Sequence, residues 1–223
     1  LGHAVDIAAR AFVDDYYLLA FLVKVVREFY PEIVAEVLEG DFQGRRIDLE
    51  VVQRMEGLAE SDTDAVVEKV KADWLFEKEA DPKALELGAR VYLAIKDIVT
   101  ERGYDAVSLI DVDGMKKLLN FPPSMVFMLL ANELDICTVP ENDTLGAVTQ
   151  LFCRYSIGQI AAYMEFYEIM EDRVLIGVPD YVPAEVTEGP VRVNPTSFGQ
   201  LGQGILNVSK VKTGRATMCR LGS

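Results

Sequence analysis

The chain has 223 residues, half of them apolar, which is enough for one large domain, or one domain plus part of another, with a sizeable core. Its formal net charge is -14; so acidic a surface repels phosphate backbones and anionic lipid, which argues against nucleic acid and membrane as partners and favours a neutral small molecule or a cation. The three cysteines, Cys137, Cys153 and Cys219, fit no zinc spacing, and their odd number speaks against a disulfide framework, so they are expected as reduced core thiols of a cytoplasmic protein.

Ala4 to Phe29 reads as a helix, with Leu18, Leu19, Leu22, Val25, Val26 and Phe29 at spacings of three and four, and Pro31 interrupts it. The apolar stretch Ala11 to Val26 is broken by Asp14, Asp15 and Lys24, short of the roughly 20 apolar residues that a spanning helix needs. No basic segment leads into a clean apolar run, so no signal peptide is expected. The chain starts at Leu1 rather than Met and stops at Gly222-Ser223 soon after a strand-like run, as a fragment would. Ile33 to Leu38 is compatible with strand or helix and ends at Gly40-Asp41.

Asp48 to Met55 and Thr63 to Val70 read as short helices, the second capped by Ser61-Asp62. Asp81-Pro82 opens a longer helix, with Asp81 as N-cap and Pro82 in the first turn, and Gly103 closes it. Ala106 to Ile110 is a buried strand and Met115 to Leu119 a helical turn; Pro122-Pro123 opens a helix from Ser124 to Leu134. Ile136 to Val139 is a strand, Thr144 to Ser156 a helix, Ile160 to Phe166 a strand and Val174 to Gly177 another. This alternation predicts an α/β fold, a three-layer sandwich around a mostly parallel sheet, over residues 1–183. Val186 to Val193, Gly204 to Val211 and Arg215 to Leu221 are short β-type runs, so residues 184–223 are expected to start an antiparallel β domain. Gly199, Gly202 and Gly204 lack the dinucleotide-binding spacing and are expected in turns between those strands.

Two carboxylates stand out. Glu141 and Glu165 each follow an apolar run, Leu134 to Val139 and Ile157 to Tyr163. A carboxylate leaving a strand points toward the crevice where α/β sheets bind ligands. Two such groups can share one divalent cation or divide one proton transfer. Asp143 suits the N-cap of the helix opening at Thr144, and Glu168, Glu171 and Asp172 suit a solvated turn. His3, the sole histidine, is a terminal residue; Trp74 and Tyr16-Tyr17 suit packing.

Asp113-Gly114-Met115-Lys116-Lys117-Leu118, Phe121-Pro122-Pro123, Cys137-Thr138-Val139-Pro140-Glu141-Asn142-Asp143 and Tyr163-Met164-Glu165-Phe166-Tyr167 follow one another in an order and spacing that, over residues 104–193, resembles the L-arabinose isomerases and, more loosely, the L-fucose isomerases. Asp113-Gly114-Met115-Lys116-Lys117-Leu118 and Phe121-Pro122-Pro123 resemble the loop and proline turn before the family's substrate-site helix. Cys137-Thr138-Val139-Pro140-Glu141-Asn142-Asp143 is similar to its "G-G-E-G-D" strand end, and Tyr163-Met164-Glu165-Phe166-Tyr167 to its "F-M-E-D-Y". Thr144 to Phe152 resembles the helix between them, and Val174-Leu175-Ile176-Gly177 the strand "V-L-G-A". The resemblance implies a metal-dependent aldose–ketose isomerase acting on an open-chain pentose or deoxyhexose. It implies Glu141 and Glu165 as ligands of Mn²⁺ or another divalent cation and as acid and base for proton transfer between C1 and C2. It also implies a homo-oligomer with a small-molecule sugar as ligand. The family's metal-binding histidine two residues after the glycine matching Gly177 is Pro179 here, followed by Asp180, and its later histidine has no counterpart. The alternative is therefore a non-catalytic sugar-binding or regulatory relative that keeps the fold without the histidine ligands.

Overall fold

The computed structural model describes residues 20–23, 48–116, 120–177, 182–197 and 203–220. Five α-helices and three small sheets form a mixed α/β structure among them.

A short strand, β1 (Ala20–Val23), comes first. It lies inside the stretch whose spacing predicts a helix. It is held there by pairing antiparallel with a later strand, a long-range partnership that local periodicity does not contain. Helix α1 spans Asp48–Glu56, and α2 spans Glu60–Asp73. The second begins a turn earlier than the sequence implies: Ala59 is its N-cap with no side-chain hydrogen bond, so Ser61 and Asp62 sit in the first turn instead of capping it. The two-residue strand β2 (Leu75–Phe76) follows. Helix α3 (Pro82–Arg102) has the expected ends: the Asp81 side chain accepts from the Lys83 N–H at 2.9 Å, and Gly103 takes a left-handed φ of 64°.

Strand β3 (Ala106–Leu109) is fully buried and runs parallel to β4 (Cys137–Val139); β1 pairs antiparallel on the other side of β3. This three-stranded sheet is therefore mixed, not mostly parallel as the sequence suggests, because the β1 edge runs the other way. Its two faces bury different helices. Ala106, Cys137 and Val139 pack with Ala147 and Leu151 of α5 (Thr144–Ile157). Val107, Leu109 and Ile136 pack with Leu85, Ile95 and Ile98 of α3 and with Met125, Phe127 and Leu130 of α4 (Ser124–Leu134). The period-two alternation along the strands sorts the residues between the two clusters.

After α5 the chain stays irregular through Met164, and β5 occupies Glu165–Ile169, later than the strand expected over Ile160 to Phe166. Pairing decides this. The partner of β5 is β6 (Val174–Gly177), joined by a tight turn in which the Met170 N–H donates to the Arg173 carbonyl at 2.9 Å. Ile160 to Tyr163 have no strand facing them among the described residues, and Tyr163 packs on the α5 cluster. The hairpin has a bulge between Phe166 and Glu168 and carries exposed apolar residues on both strands, with Phe166 61% and Ile169 79% accessible.

Strands β7 (Arg192–Ser197) and β8 (Gln203–Asn207) are antiparallel, and β2 joins β7 in parallel. Residues 215–220 are not a strand, contrary to the β-type pattern there; the last strand-like contact is a single bridge between Thr187 and Val211. Val191, Val193 and Ile205 belong to the same buried cluster as α3 and α4. Gly204 lies within β8 rather than in a turn. A Cβ there would stand 2.5 Å from Pro122 Cγ and 3.0 Å from its Cδ. Among the described residues, no helix is long and apolar enough to cross a membrane.

The Gly204 contact sets how closely β8 seats on the proline turn before α4. The Pro122 ring cannot rotate away, so Gly204→Ala is expected to destabilise by roughly 1–3 kcal/mol through overpacking. Thermal melting followed by circular dichroism should show a midpoint lower by several degrees; an unchanged midpoint would disprove the close fit.

Candidate functional site

The site is assembled by the loops that leave the two parallel strands. Beyond β3 the chain winds into one π-helical turn, Asp111–Lys116, where the sequence suggests a helical turn slightly later, over Met115 to Leu119. The wider turn places Asp111 and Lys116 side by side. Both are 1% exposed, and Lys116 Nζ donates to Asp111 Oδ2 at 2.7 Å. Taking two charges out of water costs several kcal/mol per ion, and placing each beside an opposite charge offsets that cost.

The second oxygen of Asp111 reaches across to β4. Its Oδ1 accepts the backbone N–H of Glu141 at 3.0 Å, while the Asn142 N–H donates to the Leu109 carbonyl at 3.0 Å. Those two bonds pin the strand-end loop in an unusual shape. Glu141 and Asn142 both have left-handed backbones, with φ of 63° and 54°. Non-glycine residues rarely adopt this conformation, and it persists where surrounding contacts enforce it. The buried Asn142 Oδ1 finds no hydrogen-bond partner among the described residues.

Asp143 then caps α5, accepting from the Gly146 N–H at 2.9 Å, as its position before Thr144 implies. It also carries a two-point ion pair with Arg220 near the C-terminus: Nη1 to Oδ2 at 2.5 Å and Nη2 to Oδ1 at 3.1 Å. Gly146 leaves room for both groups; a Cβ there would stand 2.7 Å from Asp143 Oδ2 and 3.3 Å from the Tyr163 ring.

Electrostatics link these groups to Glu165 at the start of β5. The Glu141 carboxyl is raised from its ordinary value, first by partial burial, then by the negative charges of Glu165 and Asp111; Lys116 opposes the shift and Asp143 adds to it. The residue as a whole is exposed, so the repulsion is partly screened by solvent. Tyr163 is pushed well up by burial and by the charges of Asp143, Glu141 and Glu165. The Glu165 charge thus acts on Glu141, although Glu165 opens a strand and does not follow one. Asp111 and Asp143 have cationic partners, while Glu141 retains a net repulsive surrounding.

The sequence marks Glu141, Glu165 and the Asp143 cap; Lys116 and Tyr163 stand there only within family-like strings, and Asp111 and Arg220 carry no mark. Asp111 stands just beyond β3 as Glu141 does beyond β4, so the strand-end criterion applied to the earlier strand would have found it. Nothing local marks Arg220. Pro179, Asp180 and His3 lie outside the described residues. Among the described residues, no group of three or more histidine, cysteine, aspartate or glutamate side chains is arranged to hold a metal ion. The chain matches no known family model, and no curated protein matches it.

Two outcomes follow from this geometry. Lys116→Met leaves Asp111 buried without its cation and is expected to cost roughly 3–5 kcal/mol; urea unfolding that shows less than about 1 kcal/mol would contradict the buried pair. Burial and like charge lift the Glu141 value in the folded state above the ordinary 4.5. The folded state therefore holds that proton more tightly, and stability falls as pH rises from the unfolded value through the folded one. Glu141→Gln is accordingly expected to raise the melting midpoint near pH ~7 and to lose that advantage toward pH ~3, where the wild-type group is protonated in both states. A variant equally stable or less stable than wild type across that range would refute the repulsion.

Proposed function

We propose that this chain carries the acid–base site of an aldose–ketose isomerase acting on an open-chain pentose or deoxyhexose, within an α/β core of the L-arabinose and L-fucose isomerase type. The observation that carries the reading is the Glu141 carboxyl, raised by burial and by Glu165, on a loop held rigid by Asp111. A raised carboxyl can hold or release a proton closer to neutral pH than an ordinary glutamate. Asn142 adds support. It stands where the family string "G-G-E-G-D" has its last glycine, and its backbone takes the left-handed form that glycine and asparagine adopt most easily.

In this reading Glu141 removes the proton from one of the two carbons C1 and C2 and returns it to the other. Glu165 faces the opposite end of the C1–C2 unit and exchanges the hydroxyl proton. Asp111 and Lys116 act through the backbone, fixing where Glu141 stands. Like charge between the two glutamates suits a hard dication, for which carboxylate oxygen is a favoured donor, and these two residues would hold it. When bound, a divalent ion such as Mn²⁺ would supply Lewis-acid polarisation of the sugar oxygens. The functional protein is proposed to be a homo-oligomer. A second reading, a non-catalytic sugar-binding relative, is favoured by Pro179 in place of the family's histidine.

The deciding experiment combines metal binding and turnover. Mn²⁺ is expected to raise the melting midpoint, since binding to the native state stabilises it. Ketose should form from L-arabinose, L-fucose or a related aldose. Glu141→Gln should lower kcat by about 10²–10⁴-fold with the metal-free protein still folded. A sugar-induced shift without ketose formation would leave the binding reading; neither metal shift nor turnover would overturn the isomerase.

A further inference from the structure

The cysteines do not all behave as the core thiols that their number suggests. Cys137 and Cys153 are buried, but Cys219 is exposed, and its Sγ lies 3.6 Å from Cys153 Sγ. The two residues are 66 positions apart in sequence, one on α5 and one in the irregular C-terminal segment. A disulfide has its sulfurs about 2 Å apart, and these two thiols already meet at contact distance.

We propose that Cys153 and Cys219 form an oxidisable dithiol, a modification site that closes as an intramolecular disulfide and fastens the C-terminal segment to α5. The co-reactant is a low-molecular-weight disulfide, RSSR, such as oxidised glutathione. The exposed Cys219 thiolate attacks one sulfur of RSSR; that S–S bond breaks and RS⁻ leaves with the electron pair. The Cys153 thiol then loses its proton to solvent and attacks the Cys219 sulfur of the mixed disulfide, expelling the second RS⁻. Two protein thiols are oxidised by two electrons, and one RSSR is reduced to two thiols.

Burial assigns the order of events. Cys219 is reachable by a solvent-borne disulfide and Cys153 is not, so the exposed residue attacks and the buried one resolves. Burial also pushes the Cys153 thiol up, as does its contact with Cys219. This keeps it a thiol until the mixed disulfide stands beside it. Cys137 is buried in the sheet, pushed up to about 12 by burial first and then by Asp105 and Cys153. It is expected to stay out of the exchange.

The location gives the bond a consequence. Cys219 directly precedes Arg220, whose guanidinium grips Asp143 at the start of α5, two residues from Glu141. Exposed surface pairs of this kind are individually weak. A covalent bond at the neighbouring residue would convert a detachable contact into a permanent one, holding the C-terminal segment against the carboxylate cluster. This inference rests on the sulfur positions and is independent of the isomerase reading.

The test uses the whole reduced chain treated with oxidised glutathione, followed by alkylation, proteolysis and mass spectrometry. The expected product is one species lacking two hydrogens, with the Cys153 and Cys219 peptides linked and Cys137 alkylatable after unfolding. Its melting midpoint should rise by roughly 5–10 °C. Trypsin cleavage after Lys212 or Arg215, both exposed, should release the C-terminal piece only after reduction. Cys153→Ser should instead accumulate a glutathione adduct on Cys219. Cys219→Ser, at an exposed position, should form no internal bond. A stable adduct on wild-type Cys219, a link through Cys137, or no reaction at all would each overturn the proposal.

Discussion

The ion pair between Asp111 and Lys116 is the constraint from which the rest of the site is built. Both charges lie inside the protein, where neither could remain alone. The carboxylate spends one oxygen on the lysine and the other on the Glu141 backbone, so a single side chain couples the exits of β3 and β4. The π-helical turn is what brings two residues five apart into register for this contact. Without it the left-handed backbone at Glu141 and Asn142 would lack the bond that offsets its strain.

That arrangement divides four carboxylates into two kinds. Asp111 and Asp143 are structural: one answers a buried lysine, the other caps a helix and meets Arg220. Glu141 is left in a surrounding whose net effect favours its protonated form, with Glu165 as the largest charge acting on it. Proteins commonly keep charge unbalanced where chemistry or binding uses it, while structural pairs are closed. The separation is one of position alone, since all four residues are of the same chemical type.

The same loop region is where distant parts of the chain meet. Gly146, bare of a Cβ, lets the Asp143 carboxylate and the Tyr163 ring share the start of α5. Arg220 arrives there from the far end of the sequence, and Cys219 beside it reaches Cys153 further along the same helix. The C-terminal strands are also tied to the middle of the chain: β7 extends β2, and Ile205 enters the cluster built by α3 and α4. The exposed apolar hairpin of β5 and β6 contrasts with this, being paired only with itself among the described residues.

What could be read from the sequence alone was whatever is decided within a few neighbouring residues. Asp81-Pro82 and Gly103 delimit α3, Pro122-Pro123 opens α4, and Asp143 caps α5, because caps and prolines act through the adjacent backbone. The short apolar runs at β3 and β4 were equally legible, and with them the strand-end position of Glu141. Tertiary structure decided everything that needed a distant partner. Ala20–Val23 is a strand because β3 accepts it, Glu165 begins a strand because Gly177 faces it, and residues 215–220 stay irregular despite their β-type pattern. The Asp111–Lys116 pair, the Arg220 clamp and the Cys153–Cys219 contact belong to the same class: each depends on how the chain returns to itself, which no local spacing records.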